Sequence, residues 1–291
     1  MREGSENRYY DLLFRELRRF GHVEGQNLVV DRYSIERQPD GVAAVVAEVV
    51  NSAPDVIYVI GFESVPLKRA TSTIPIVALS GDPIAMGLVT SLARPGGNVT
   101  GVSVDTGPSI HGKRMALLRD LVPGVSRIAF VSSRPAWDIF VGRAAQEAAK
   151  LAHIRLIPAL LEPPTSDDQY RSVIEAAARA GAEAVIVTDS PDVLRRRAVI
   201  AEAVAKTGLP GMYAFRESVE AGGLMAYGFD LIDLTRRAAS NIDAILRGKN
   251  PGDIPYYQNS NFQLFINTKT ASAMGLTVPP TLLARADEVI E

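Results

Sequence analysis

Asp82 is the acid in this sequence best placed to meet a ligand. It follows Gly81 at the end of an apolar run and precedes Pro83, a residue suited to the first position of a helix. Its carboxylate therefore either receives a ligand ammonium or caps a helix over 83–92, and one side chain can do both. Ser64, Ser103, Ser132 and Ser133 stand at other run ends. Hydroxyls there, with backbone N–H groups at helix N-termini, suit a carboxylate. Ordinary N-capping explains any one of these serines, and their recurrence favours a binding site. Phe62, Trp137, Tyr213 and Phe215 occupy or adjoin the same tips, and aromatic walls with a few polar anchors are what small-molecule pockets use. Core packing is the ordinary role of each aromatic taken alone. Glu63, Asp189 and Arg216 complete the set. An arginine clamps a carboxylate bidentately, with a solvated helix surface as the plain alternative. The chemistry implied is recognition of a small molecule carrying a carboxylate.

Signs of catalysis are sparse. The sequence has no Gly-x-Gly-x-x-Gly, no phosphate loop, no His-Glu-x-x-His and no Gly-x-Ser-x-Gly. Its three histidines, His22, His111 and His153, fall in different elements, none at ligand spacing from another, and each is expected at a surface or helix cap. Cysteine is absent, which removes disulfides, thiol nucleophiles and thiolate metal sites together. No metal and no cofactor are expected.

The candidate residues need elements to hold them. Six apolar runs, Val56–Ile60, Ile74–Leu79, Val99–Val104, Ile128–Val131, Ala184–Val187 and Leu224–Ala226, each end in a small, hydroxylic or acidic tip. Those tips include Asp105-Thr106-Gly107 and Tyr227-Gly228. Helical patterns alternate with the runs, which predicts parallel sheets wrapped by helices and ligands just beyond the carboxyl strand ends. Helices are predicted over 11–20, 42–50, 64–71, 83–92, 111–121, 137–152, 167–180, 193–206, 231–246 and 282–290, and a further strand over 27–33. At 291 residues the chain exceeds one core, and two successive α/β rounds predict two doubly wound, Rossmann-like lobes with a hinge and a cleft between them. The expected division is 1–104 plus about 229–258 for the first lobe and 105–228 plus about 259–291 for the second. Net charge is −2, so nothing electrostatic argues for nucleic acid or an anionic membrane. The one basic triplet, Arg195-Arg196-Arg197, reads as a solvated helix face.

Several phrases are specific enough to carry a family resemblance. His22-Val23-Glu24-Gly25-Gln26-Asn27-Leu28, Gly81-Asp82-Pro83, the stretch 91–101 (SLARPGGNVTG), the stretch 215–225 (FRESVEAGGLM) and the tail from Asn267 to Ile290 resemble a bacterial family of ABC-transporter substrate-binding proteins, the one with tryptophan- and tyrosine-binding members. The resemblance covers essentially the whole chain. It implies a type I periplasmic-binding fold, two lobes joined by three crossover strands that close on a small solute and deliver it to a membrane permease. It supports Gly81, Asp82 and the segment 213–217 as lining the site. Departures from relatives fall at Glu63-Ser64, where a Thr-Pro pair is common, and at Ser132-Ser133-Arg134-Pro135, where Asn-Pro is common. Those positions bear on ligand identity, and an aromatic amino acid is the leading expectation.

Relatives also begin with a signal peptide and a first strand ahead of the helix matched by Tyr9–Phe20. In a 2-1-3-4-5 sheet that strand is central, so a gap is expected in the first lobe unless an upstream start, another segment or another chain fills it. Otherwise a monomer is expected, in the periplasm or lipid-anchored outside the cytoplasm. Two other functions fit the same bilobal plan. One is a ligand-sensing domain of a regulator, and the other an α/β enzyme acting on an amino or keto acid with Asp82 and Glu63 as acid and base.

Overall fold

The computed structural model describes residues 5–33, 41–104 and 107–291. Two compact units are present, unit 1 formed by Met1–Asp105 and Leu231–Ser260 and unit 2 by Thr106–Asp230 and Asn261–Glu291. Unit 1 opens with α1 (Ser5–Arg19), α2 (Gly41–Asn51), β1 (Ile57–Ile60), α3 (Ser64–Ala70), β2 (Ile76–Ser80) and β3 (Val99–Ser103). Unit 2 follows with α4 (Pro108–Leu121), β4 (Arg127–Ser133), α5 (Arg134–Ala136), α6 (Gly142–Leu151), β5 (Arg155–Leu161), α7 (Asp167–Arg179) and β6 (Ala184–Val187). It continues through α8 (Pro191–Arg195), α9 (Arg197–Thr207), β7 (Gly211–Tyr213), α10 (Arg216–Glu220) and β8 (Met225–Phe229). The chain returns to unit 1 for α11 (Leu231–Leu246) and β9 (Tyr257–Gln258). It then closes unit 2 with β10 (Phe262–Asn267), α12 (Thr268–Ala273), α13 (Pro280–Leu283) and β11 (Glu288–Ile290).

Unit 1 carries a parallel sheet in the order β1-β2-β3-β9. Its core sets Leu13 and Leu17 of α1 and Ala238, Ala239, Ile242 and Ile245 of α11 against Val77 of β2. Leucines at 12, 13 and 17 recur at helical spacing, which is why α1 forms an amphipathic helix with that stripe buried. His22 just beyond it bonds Asp243 of α11 at 2.8 Å and anchors the helix end. Unit 2 carries a seven-stranded sheet in the order β11-β10-β8-β7-β6-β4-β5, parallel except where β10 runs against β8. Ile128, Phe130, Ile186, Met212 and Met225 form its core together with Met115, Leu117, Leu118 and Leu121 of α4. Fully burying a side chain of this size contributes about 1.5–3 kcal/mol, so these strands are the stable centre of each unit.

Four expectations need correction. No strand forms over 27–33; a single bridge joins Glu24 to Leu28, and Val29 beyond it is exposed. Alternation there is real, but without a partner strand it cannot make a ladder. β1 is accordingly an edge, and among the described residues no strand pairs with its other side. The predicted helix over 83–92 is a series of turns in which Met86 N–H bonds Asp82 O and Gly87 N–H bonds Ile84 O. Gly87 at φ +70° interrupts any continuation. The region 137–152 is broken into one π-helical turn, Trp137–Val141, followed by α6. The terminal helix over 282–290 is replaced by α13 and the strand β11, which pairs with β10. The expected tip residues Asp105 and Thr106 lie outside the described residues.

Close approach of β2 and β3 leaves no room at Gly101, where an added Cβ would stand 1.9 Å from Ala78 O. Gly101→Ala is expected to lower the stability of unit 1 by about 1–3 kcal/mol, read as a reduced urea midpoint. Gly112 in α4 supplies the control, because its added Cβ would meet only Ala148 Cβ at 3.9 Å, an ordinary contact. Gly112→Ala should leave the midpoint unchanged or raise it, since alanine is the better helix former.

Candidate ligand-binding site

In unit 1 the carboxyl ends of β1, β2 and β3 hold most of the residues singled out from sequence. After β1 a short 3-10 turn, Gly61–Glu63, leaves Phe62 and Glu63 partly exposed. Ser64 is fully buried, and its hydroxyl donates to Gly61 O at 2.7 Å, so it braces that turn instead of facing solvent. After β2, Gly81 and Asp82 are partly exposed, and Asp82 Oδ1 accepts from Ile84 N at 2.9 Å and Ala85 N at 3.0 Å. Asp82 thus caps a turn, not a helix, and one carboxylate oxygen carries both bonds. Ser103 at the end of β3 is also fully buried and donates to Gly81 O at 2.8 Å. The two strand ends are thereby tied together, and Asn259 N, donating to Ser103 O at 2.9 Å, adds β9 to the tie.

In unit 2 the ends of β4 and β6 lie side by side. Thr188 gives both its N–H, at 3.1 Å, and its hydroxyl, at 3.0 Å, to Val131 O. Ser132 is buried with its hydroxyl on Ser133 O at 3.3 Å, and Ser133 caps α5 by accepting from Ala136 N at 3.4 Å. Asp189 is 30% exposed at the end of β6, and its Oδ1 stands 3.9 Å from Nη1 of Arg114. Trp137 is partly exposed and packs on Phe130 with ring centroids 5.6 Å apart, its indole lying over Gly142.

Three of the expected residues are turned to structural use. Tyr213 is buried with its ring against Gly211 and Gly223, and that burial raises its hydroxyl pKa. Phe215 is buried edge-on to Phe229 at 5.7 Å. Arg216, expected to clamp a ligand carboxylate, is already held by Glu288 through Nε at 2.8 Å and Nη2 at 2.7 Å, and by Glu220. The bidentate geometry was the right chemistry, but a carboxylate of the chain itself supplies the partner. What the structure leaves partly open at the strand ends is Phe62, Glu63, Gly81 and Asp82 in unit 1, and Ser133, Trp137 and Asp189 in unit 2. Among the described residues no three His, Cys, Asp or Glu side chains gather as metal ligands would.

Two α/β units with polar and aromatic side chains left open at their carboxyl strand ends define a two-unit small-molecule-binding protein. The family described as ABC transporter substrate binding protein matches residues 6–290, and the chain belongs to that family. It is 24% identical over 264 residues, 88% of this chain and 73% of the other, to a tyrosine-binding protein of Clostridioides difficile. Among solved structures it is similar to a conserved domain protein from Vibrio cholerae, at 27% identity and TM-score 0.87, over 97% of this chain and 94% of that one. It also resembles an ABC domain in complex with L-Trp from Streptococcus pneumonia, at 24% identity and TM-score 0.83, over 97% and 95% of the two chains. The fold is therefore of the type I periplasmic-binding kind.

Residues missed from sequence lie just behind these strand ends. Asp192 accepts from Thr165 Oγ1 at 2.7 Å, Tyr170 OH at 2.8 Å, Arg196 Nε at 3.0 Å and Arg195 Nη2 at 3.1 Å. Burial raises its carboxyl pKa, but the bonds from Thr165, Tyr170 and Arg196 outweigh that and hold it below the usual range. The basic triplet is therefore not a plain solvated face, because Arg196 also reaches Asp167 and Thr165 O. Arg114 and His111 of α4 are buried, contrary to the surface or cap position expected for His111. Their signal was present: both fall on the stripe of Ile110, Leu117, Leu118 and Leu121, where a polar residue must be buried.

Burial, reinforced by the nearby Arg114 charge, lowers the His111 pKa to about 3. The unfolded chain binds this proton once pH falls below the ordinary value of 6.5, whereas the folded chain resists to about 3. Stability from the neutral ring is thus complete above pH 6.5 and is lost progressively toward the folded value, by up to about 1.4 kcal/mol per pH unit. His111→Phe keeps the edge contact with Phe130 and should flatten this part of the slope, measured as urea midpoints between pH 7 and pH 4.

Proposed function

We propose that the chain captures a small carboxylate-bearing solute of the aromatic amino acid class at the carboxyl strand ends of its two units, and hands it to the permease of an ABC importer outside the cytoplasm. The observation that carries this reading is the family match over residues 6–290. The tyrosine-binding relative and the L-Trp-bound neighbour support the ligand class. Phe62 offers an aromatic surface, Glu63, Asp82 and Asp189 receive an ammonium, and backbone N–H groups at the strand ends with Ser133 receive a carboxylate. No turnover is part of the reading. The side chains at these ends are acids, hydroxyls and aromatics, types that suit binding of a small amino acid. No helix among the described residues is long and apolar enough to cross a membrane.

Titration calorimetry and thermal melts with L-tyrosine, L-tryptophan and the matching keto acids test this directly. Saturable binding should appear with at least one compound, with an apparent stabilisation of about 2.7 kcal/mol when free ligand is a hundredfold above its Kd. The compound should be recovered chemically unchanged. Conversion of any compound would make the chain an enzyme, and absence of binding across the series would remove the aromatic amino acid from the reading.

A further inference from the structure

Among the described residues Arg114 is the largest side chain to be completely buried, with 0% exposure. It sits on α4, the first element of unit 2 after the chain enters at 105–106. Its Nε donates to Tyr227 O at 2.9 Å, on β8, the last strand before the chain leaves at 230–231. The Tyr227 ring in turn stacks on Phe262, at 5.7 Å and 25°, on β10, the first strand after the chain returns at 260–261. One guanidinium on α4 thus bonds β8 directly and reaches β10 through the Tyr227 ring, all within unit 2.

The other end of that guanidinium faces Asp189, with Nη1 3.9 Å from Oδ1. A separation of 3.9 Å is an ion pair without a hydrogen bond, so the buried charge draws the carboxylate toward it while leaving the carboxylate's lone pairs available. Asp189 is the acid at the end of β6 and is 30% exposed. We propose that Arg114 is the positioning residue of the unit 2 site: buried behind Asp189 and anchored to β8, it holds that carboxylate to receive a ligand ammonium. The proposal rests on the solute-binding reading above and deepens it, because it names the buried group that holds Asp189 ready for the ligand's amino group. Lysine cannot replace Arg114 here. An ammonium keeps the charge but lacks the planar fork that serves Tyr227 O and Asp189 at once.

The test compares L-tyrosine with 3-(4-hydroxyphenyl)propionate and L-tryptophan with indole-3-propionate, pairs that differ by the amino group. Binding is measured by calorimetry on the full chain and on Arg114→Lys, Asp189→Asn and the double variant. Wild type should prefer the amino acid by about tenfold or more, the scale of a charge-assisted hydrogen bond. Asp189→Asn should abolish the preference, and Arg114→Lys should shrink it by about fivefold. The double variant should discriminate no worse than Asp189→Asn, as residues acting through one another do. Equal loss of affinity for both members of a pair in Arg114→Lys, or an intact preference in Asp189→Asn, overturns the assignment. Where Arg114→Lys fails to fold, the Nε–H resonance of Arg114 in wild type serves instead. It should shift on adding the amino acid and stay put in Asp189→Asn, and an unmoved wild-type signal also overturns the role. If neither member of either pair binds wild type, the aromatic amino acid reading falls and the Arg114 role falls with it.

Discussion

Ile76, Val77 and Ala78 of β2 are wholly buried, and so are Ile128, Ala129, Phe130 and Val131 of β4. Strands covered on both faces have spent their lateral hydrogen bonds on neighbouring strands and their side chains on helices, so a parallel sheet of this kind can meet a ligand only at its ends. The same burial fixes which end. Most strands, among them β1, β4, β6, β7 and β8, lead into helices, so their carboxyl ends collect helix N-termini and their N–H groups, whereas β2 leads into turns capped by Asp82. Gly61–Ser64, Gly81–Asp82, Ser132–Ser133 and Thr188–Asp189 all lie at such carboxyl strand ends.

Within those turns, hydroxyls and charges divide the work. A hydroxyl costs about 1–3 kcal/mol if buried without a partner, yet a single backbone carbonyl satisfies it. Ser64, Ser103, Ser132 and Thr188 are buried in that way, each donating to a nearby carbonyl and bracing one strand end or the next. A carboxylate needs several donors before burial is tolerable, so Glu63, Asp82 and Asp189 remain partly exposed. The serines make the turns rigid and the acids are what the turns display. That separation is a physical basis for preorganisation, since a ligand then meets groups whose positions are already fixed.

Much of this was legible in the residues. Apolar runs with short polar tips located β1 to β4 and β6 to within about two residues, because fully buried strands must be continuous in apolar character. Where pattern misled, a tertiary fact decided. Asn27–Tyr33 alternates like a strand but pairs with no strand among the described residues, and Pro83–Leu92 has helical composition but is cut by Gly87. At the candidate site, type and position placed the chosen residues in turns at strand ends, whereas the direction of each side chain was invisible. Nothing in the order of residues says that Ser64 turns inward while Glu63 beside it stays partly open, or that Glu288, seventy-two residues away, occupies Arg216. Arg114 was the opposite case: its place on the apolar stripe of α4 already required a buried charge and hence a purpose for it.

Asp189 and Asp192 show how little sequence distance separates a structural acid from a displayed one. Ser190 caps α8 by accepting from Val193 N at 3.1 Å, with Pro191 at the start of the helix. That cap turns Asp192 inward along the first turn, where Thr165, Tyr170, Arg195 and Arg196 saturate it and stitch α7, α8 and α9 together. Asp189, one residue before the cap, stays on the strand side of the turn with the Arg114 guanidinium behind it at 3.9 Å. The Asp192 network holds the helices and so fixes the cap, the cap fixes where the strand ends, and the strand end fixes Asp189. One carboxylate is thus spent on holding the turn, and the other, three residues earlier, stays partly exposed at the strand end.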